Sequence, residues 1–183
     1  MGAWNGWYHV NGNTYGTWLP GDSRGWRTKK HRRHVAGDYK HPPPPGTDEL
    51  LHQFNRRSLA LAPVHLTPSQ RQIAGQAVVE MLMCQSIETT ALCVTAAHFH
   101  LLGRFRDAQV RPPVGQAKKH ACFVLKDSGL AGRLWTAKAK VTPIRDRGHQ
   151  VNVFHYICRH QAEGAWLWTF RDGIYWPSTI QRK

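Results

Sequence analysis

Ile73, Ala77, Met81 and Cys84 recur at three- and four-residue intervals, the spacing that gathers side chains on one side of an α-helix. Just ahead of them stands Thr67-Pro68-Ser69-Gln70. A threonine can cap the first free N–H groups of a helix. A proline fits the first helical position, where its missing N–H has no partner to lose. A glutamine three residues after the cap can reach back to the cap's own N–H. This pattern predicts a helix opening at Pro68 with an apolar core face. Val114, Ala117, Ala121, Cys122 and Leu125 predict a second amphipathic helix, and residues 149–162 a third.

A period of two marks the strands. Ala91 to Thr95 and His98 to Arg106 read as two strands joined by a tight turn. From Leu134 to Thr142 the chain alternates, with Trp135, Ala137, Ala139 and Val141 facing one way and Thr136, Lys138, Lys140 and Thr142 the other. Trp4 to Leu19 has the Trp, Tyr, Val and Thr content of a strand, interrupted by Asn and Gly. Trp166 to Trp176 predicts a hairpin turning at Asp172-Gly173. The order strand, helix, strand, strand, helix, strand, helix fits an antiparallel sheet covered by helices. This is an α+β, ferredoxin-like (RRM-like) arrangement with a basic insertion after the first strand. A length of 183 residues suits one domain that includes an insertion over 20–63 and a C-terminal hairpin and tail over 164–183.

Charge narrows the function. Lys and Arg number 25 against 11 Asp and Glu, a net charge of +14, and the pI is about 10.2. Such a field attracts a polyanion. A membrane surface is a poor rival, because the chain has neither a long apolar run nor a basic amphipathic helix. The four cysteines, Cys84, Cys93, Cys122 and Cys158, form no C-x-x-C pair, which argues against a zinc ribbon or a redox motif. All four read as reduced core residues. The N-terminus lacks a basic-then-apolar signal pattern, so a cytoplasmic location is expected. The insertion holds a dense basic cluster: Arg24, Arg27, Lys29, Lys30, Arg32 and Arg33 surround Trp26, ahead of the Pro42–Pro45 run. Cations interleaved with an aromatic ring that can stack on a base suit a nucleic-acid contact loop, and a merely solvated loop is the plainer alternative.

Two constellations carry chemistry. In His98-Phe99-His100 a strand would point both imidazoles to one face and Phe99, Leu101 and Phe105 to the other. Arg104 and Arg106 share the histidine face, so a metal-ligand pair would be followed by phosphate-binding cations. With 12 histidines in the chain, one H-x-H pair is weak by itself. In Tyr156-Ile157-Cys158-Arg159-His160 a helix would put Tyr156 and His160 one turn apart on a polar face, with Val151, Phe154, Ile157 and Cys158 forming an apolar stripe opposite. That offers a nucleophile beside a third imidazole. The plainer reading is an exposed surface tyrosine.

His98-Phe99-His100-Leu101-Leu102 resembles the His-hydrophobic-His motif of the single-tyrosine HUH transposases. Leu134-Trp135, Ile144-Arg145-Asp146 and Tyr156-Ile157 resemble the second half of that family, nearest to the REP-associated tyrosine transposases. The likeness spans roughly residues 90–164, with a weaker echo in Tyr8-His9-Val10 and in the stretch from Asn13 to Asp22. The resemblance implies cleavage and rejoining of single-stranded or hairpin DNA. It makes His98 and His100 metal ligands and Tyr156 the nucleophile that forms a 5′-phosphotyrosine. Where the family often has Gln or Asn one turn after the tyrosine, this chain has His160. The implied cofactor is a divalent metal, Mn²⁺ or Mg²⁺ first and Co²⁺, Ni²⁺ or Zn²⁺ otherwise. Lys138 and Lys140 join Arg24, Trp26, Arg27, Lys29, Lys30, Arg32, Arg33, Arg104 and Arg106 as candidate DNA contacts. Monomer and homodimer both stay open. Two rival readings are a non-catalytic DNA-binding regulator on the same sheet and a metallohydrolase that uses water in place of Tyr156.

Overall fold

The computed structural model describes residues 2–26, 44, 46–130 and 132–172. The chain divides into two compact units, one of residues 1–14 and 65–183 and the other of residues 15–64. The smaller unit takes in the whole of the 20–63 insertion. Its ends meet where Val64 N donates to Tyr15 O, 2.8 Å away. Its helix α1 (Glu49–Arg57) packs near Gly21, whose φ of +91° and close approach to the His52 backbone leave no room for a side chain.

The larger unit is built on β1 (Trp7–Asn13), α2 (Pro68–Cys84), β2 (Glu88–Val94), β3 (His98–Arg104), α3 (Arg111–Val124), β4 (Lys140–Pro143), α4 (Arg147–Arg159) and β5 (Trp166–Thr169). The five strands form an open sheet in the order β4-β1-β3-β2-β5, with every neighbouring pair antiparallel. This is the expected α+β, ferredoxin-like order, extended by β5 at the β2 edge. Its register places Asn13 opposite His98, Val10 opposite Leu101, and Cys93 opposite His100.

The capping box forms as predicted: Thr67 Oγ1 accepts from Gln70 N, and Gln70 Oε1 accepts from Thr67 N at 3.0 Å. The core face of α2 is turned relative to the expected one. Ala74, Ala77, Val78, Val79 and Leu82 are buried, Ile73 and Met81 flank them, and Cys84 is exposed. Apolar residues occupy so much of this helix that periodicity alone could not choose among parallel stripes. The choice is made by the sheet, where the Trp166 ring lies against Gly75. α2 covers one face of the sheet, with α3 alongside it. Beneath them lie Val10, Leu92, Val94, Phe99 and Leu101, and Phe99 meets the Trp135 ring edge-on at 5.2 Å. Gly12 is bare because a Cβ there would come within 2.8 Å of Phe99.

α4 covers the other face. Its Val153 and Ile157 join Trp7, Ala91, Cys93, Leu102, Ile144 and Ala165 in one buried cluster. The burial of such a set stabilises the α4–sheet contact by roughly 1.5–3 kcal/mol per large side chain.

Several expected elements are shorter than their patterns. The first strand begins only at Trp7, because Asn5 and Gly6 turn the chain with positive φ, and it ends at Asn13. Between Leu134 and Thr142 only Lys140 onward is strand. Trp135 makes a lone bridge to Thr14, Thr136 O is held by Lys118 Nζ at 2.7 Å, and Ala137 is exposed at a bend. Of the hairpin expected over 166–176, the first strand ends at Thr169. Asp172 Oδ2 accepts from Thr169 N at 2.6 Å and closes a 3₁₀ turn over Phe170–Asp172, while residues from 173 lie outside the described ones. The four thiols are free, but only Cys93 is buried.

Candidate metal and nucleophile site

The site grows from the turn between β2 and β3. Thr95 Oγ1 accepts from Ala97 N and His98 N, and Thr95 N donates to His98 O at 2.8 Å. This two-residue turn fixes where β3 begins, so its first residue, His98, stands at the sheet border, with His100 one pleat further in. Strand geometry then puts both imidazoles on the α4 side. Across from them, α4 ends at Arg159 and tightens into a 3₁₀ turn over His160–Glu163, closed by Gly164 at φ 79°. That tightening aims His160 at the sheet.

The three rings meet. His98 and His100 are 4.9 Å apart by ring centroid, His98 and His160 are 5.4 Å apart, and His100 and His160 stack at 4.9 Å with planes 8° apart. One ring nitrogen from each lies within 4.8 Å of the other two. His100 and His160 are buried and His98 half-buried. Tyr156 stands edge-on to this group, 5.2 Å from His100 and 5.0 Å from His160, with 36% of its surface exposed. Arg159 brings its guanidinium to 5.9 Å from the phenol ring.

Electrostatics keep the His100 imidazole neutral. Burial, followed by the charges of His9, His98 and His160, pushes His100 down to about 2. Neutral rings offer lone pairs, which a metal needs. The donor set also passes a test of fit. His160 Nε2 is buried with no hydrogen-bond partner among the described residues, and such an orphan is costly unless something binds it. His160 Nδ1 is meanwhile engaged by Glu163 Oε2 at 2.9 Å, the carboxylate-to-histidine pairing that orients metal ligands. Cys93, across the ladder from His100, is a poor fourth donor, because burial pushes its thiol up to about 12.

The sequence pattern placed Tyr156 and His160 on a solvent-facing side of the helix. The buried stripe of α4 instead runs through Gln150, Val153 and Ile157 to His160, with Tyr156 at its border. Of the expected apolar stripe only Ile157 is buried, and Val151, Phe154 and Cys158 are half-buried. Polar residues that line a site face inward, against the usual pattern.

The candidate DNA contacts scatter. Lys140 opens β4 opposite Asn11, and its charge helps lower His9. Lys138 is exposed just before it. Arg104 has the parity of the histidine face but lies six residues along β3 from His98, about 20 Å away at strand rise. There it binds Glu88 at 3.3 Å and Asn5 O at 2.9 Å. Arg106 follows in an exposed bend. Neither arginine joins the histidine cluster. In the smaller unit Arg24 pairs with Asp22 at 2.6 Å and lies over Trp18, while Trp26 Nε1 donates to Asp48 Oδ2 at 2.7 Å. Arg27, Lys29, Lys30, Arg32 and Arg33 lie outside the described residues.

Two neighbours of the cluster were not singled out from the sequence as site residues. His9 Nε2 lies 3.0 Å from His100 Nδ1. Burial and then the charge of Lys140 lower His9 to about 4. Glu163 is the other. Its spacing of three from His160 was a readable signal, whereas His9 stood only within the weak family echo Tyr8-His9-Val10.

No family model and no curated protein matches this chain. A solved structure of a REP-associated tyrosine transposase bound to a REP hairpin is similar over 87% of this chain and 68% of that one, at 14% identity and a TM-score of 0.48. A likeness that slight decides nothing about chemistry, and the functional reading rests on the site itself.

Proposed function

We propose that this protein cleaves and rejoins single-stranded DNA by a metal-dependent reaction in which Tyr156 is the nucleophile and His98, His100 and His160 hold the ion. The observation that carries this reading is the meeting of three imidazoles from β3 and the turn that ends α4, beside a half-open phenol. A bound divalent cation would neutralise charge on a phosphodiester oxygen and polarise the phosphorus. Imidazole donors suit Mn²⁺, Co²⁺, Ni²⁺ or Zn²⁺ better than Mg²⁺.

The chain's own groups do the rest. Tyr156 gives up its phenolic proton to solvent, with the Arg159 guanidinium 5.9 Å from its ring. Its Oη forms a bond to phosphorus as the bond to the 3′-oxygen breaks. The departing oxygen takes a proton and becomes a 3′-hydroxyl. The 5′-phosphate stays on Tyr156, so the bond energy is kept and another 3′-hydroxyl can reverse the step without ATP. The net charge of +14 and Lys140 beside the cluster draw the strand in. No helix among the described residues is long and apolar enough to cross a membrane.

The test is incubation with hairpin-bearing single strands and a panel of metals, followed by a denaturing gel. A metal-dependent covalent adduct carrying the 5′ end of the cut supports the reading. Cleavage without an adduct would assign the site to a water-using hydrolase. Binding with no cleavage under any metal would assign it to a non-catalytic regulator.

A further inference from the structure

Both buried imidazoles of the cluster have their second nitrogen already occupied, by partners of different kinds. His160 Nδ1 meets the Glu163 carboxylate, and His100 Nδ1 meets His9 Nε2 at 3.0 Å. A neutral imidazole offers one lone pair and carries its proton on the other nitrogen. The group that accepts that N–H therefore decides which nitrogen faces a metal. Glu163 does this from the same turn, three residues along, and its side chain is 67% exposed. His9 does it from the middle of the sheet. β1 holds it between Leu102 on one side and Thr142 on the other, and its ring lies 27° from parallel to His100 with centroids 5.1 Å apart.

We infer that His9 is a positioning residue of the metal centre, its Nε2 accepting the Nδ1–H of His100 so that His100 turns Nε2 toward His98 and His160. The inference rests on the metal centre proposed above. It extends that centre to a third element, since β1 now contributes alongside β3 and α4. It also gives the two buried ligands unlike support, a neutral ring behind His100 and a carboxylate behind His160.

Cobalt affinity of the full chain without DNA tests this, read from the visible ligand-field spectrum and from competition with a chelating dye. His9→Leu keeps bulk but offers no acceptor, and is expected to weaken Co²⁺ binding roughly 10–100-fold. His9→Gln places a side-chain carbonyl near the same point and is expected to recover most of the affinity. Thermal melting of the metal-free variants runs in parallel, with His9→Leu expected to melt at or above the wild type. Unchanged cobalt affinity in His9→Leu overturns the inference. So does a loss matched by an equal loss of metal-free stability, because packing alone would then explain it. If His9→Leu does not fold, nitrogen-15 chemical shifts of the metal-free wild type report the His100 tautomer directly. Nδ1–H supports the inference, and Nε2–H overturns it. A wild type that binds no cobalt removes the metal centre itself, a result distinct from any of these.

Discussion

The Tyr156 phenol stands edge-on to the His100 imidazole, ring centroids 5.2 Å apart and planes at 84°. One ring is reached from α4 and the other from β3, so the phenol's place over the histidines is set by how the helix seats on the sheet. On the proposed reading, a phenol held there would reach a phosphate bound at the histidines, and 36% of its surface is open to solvent.

Tyr156→Phe removes the hydroxyl and keeps the ring contacts. Cleavage is expected to fall by roughly a thousandfold or more, with no covalent adduct on a denaturing gel. Affinity for a single strand, measured by fluorescence anisotropy, should stay within about twofold, since phosphate contacts elsewhere supply most of it. Adduct formation by the Phe variant would sink the assignment.

His160 makes the donor set three imidazoles, and the wild type is therefore expected to cut faster with Mn²⁺ or Co²⁺ than with Mg²⁺. His160→Gln restores an oxygen donor at the same turn and should shift the preference back toward Mg²⁺. His98→Ala and His100→Ala should lose activity with every metal. Titrating cleavage against each ion for wild type and His160→Gln decides the matter, and an identical ranking removes His160 from the ligand set.

Ile157 is fully buried between α4 and the sheet, one residue from the phenol. Ile157→Ala is expected to cost about 2–5 kcal/mol in urea unfolding, the range for deleting a buried aliphatic chain. Because the same helix carries Tyr156 and leads into His160, cobalt affinity should fall as well. Destabilisation of this size with unchanged metal binding would show that the site does not depend on the seating of α4.

The basic cluster from Arg24 to Arg33 and Lys140 are expected to bind backbone phosphates. Replacing Lys29, Lys30, Arg32 and Arg33 with Ala should weaken single-strand binding at low salt. It should also reduce the slope of log affinity against log salt by about 0.7 for each phosphate no longer neutralised. Lys140→Ala should free about one phosphate. An unchanged slope in the loop variant would mark the loop as solvated only.

The parts of this architecture legible in the sequence are those written in local spacing. His98-Phe99-His100 announced its two-sidedness through the strand period, and Thr67-Pro68-Ser69-Gln70 marked the start of α2 to the residue. What depended on distant neighbours was not legible. His9 meets a residue 91 positions away. Which stripe of α2 faces the core was decided by Trp166. The polar face of α4 was read as outward because polar residues usually are, and here the inward side is polar because it lines the site. The alternation from Leu134 to Thr142 promised a longer strand than forms, because Lys118 and the end of β1 claim the first part of that segment before it reaches the sheet.

The border strands β4 and β5 are each only four residues long. β4 begins with a charged lysine and ends with a proline, which has no N–H to donate. A strand from a second molecule seeking to extend the sheet there would find few main-chain groups to grip and a cation at the point of entry. That short, guarded border makes runaway cross-molecular ladder growth unfavourable at this edge.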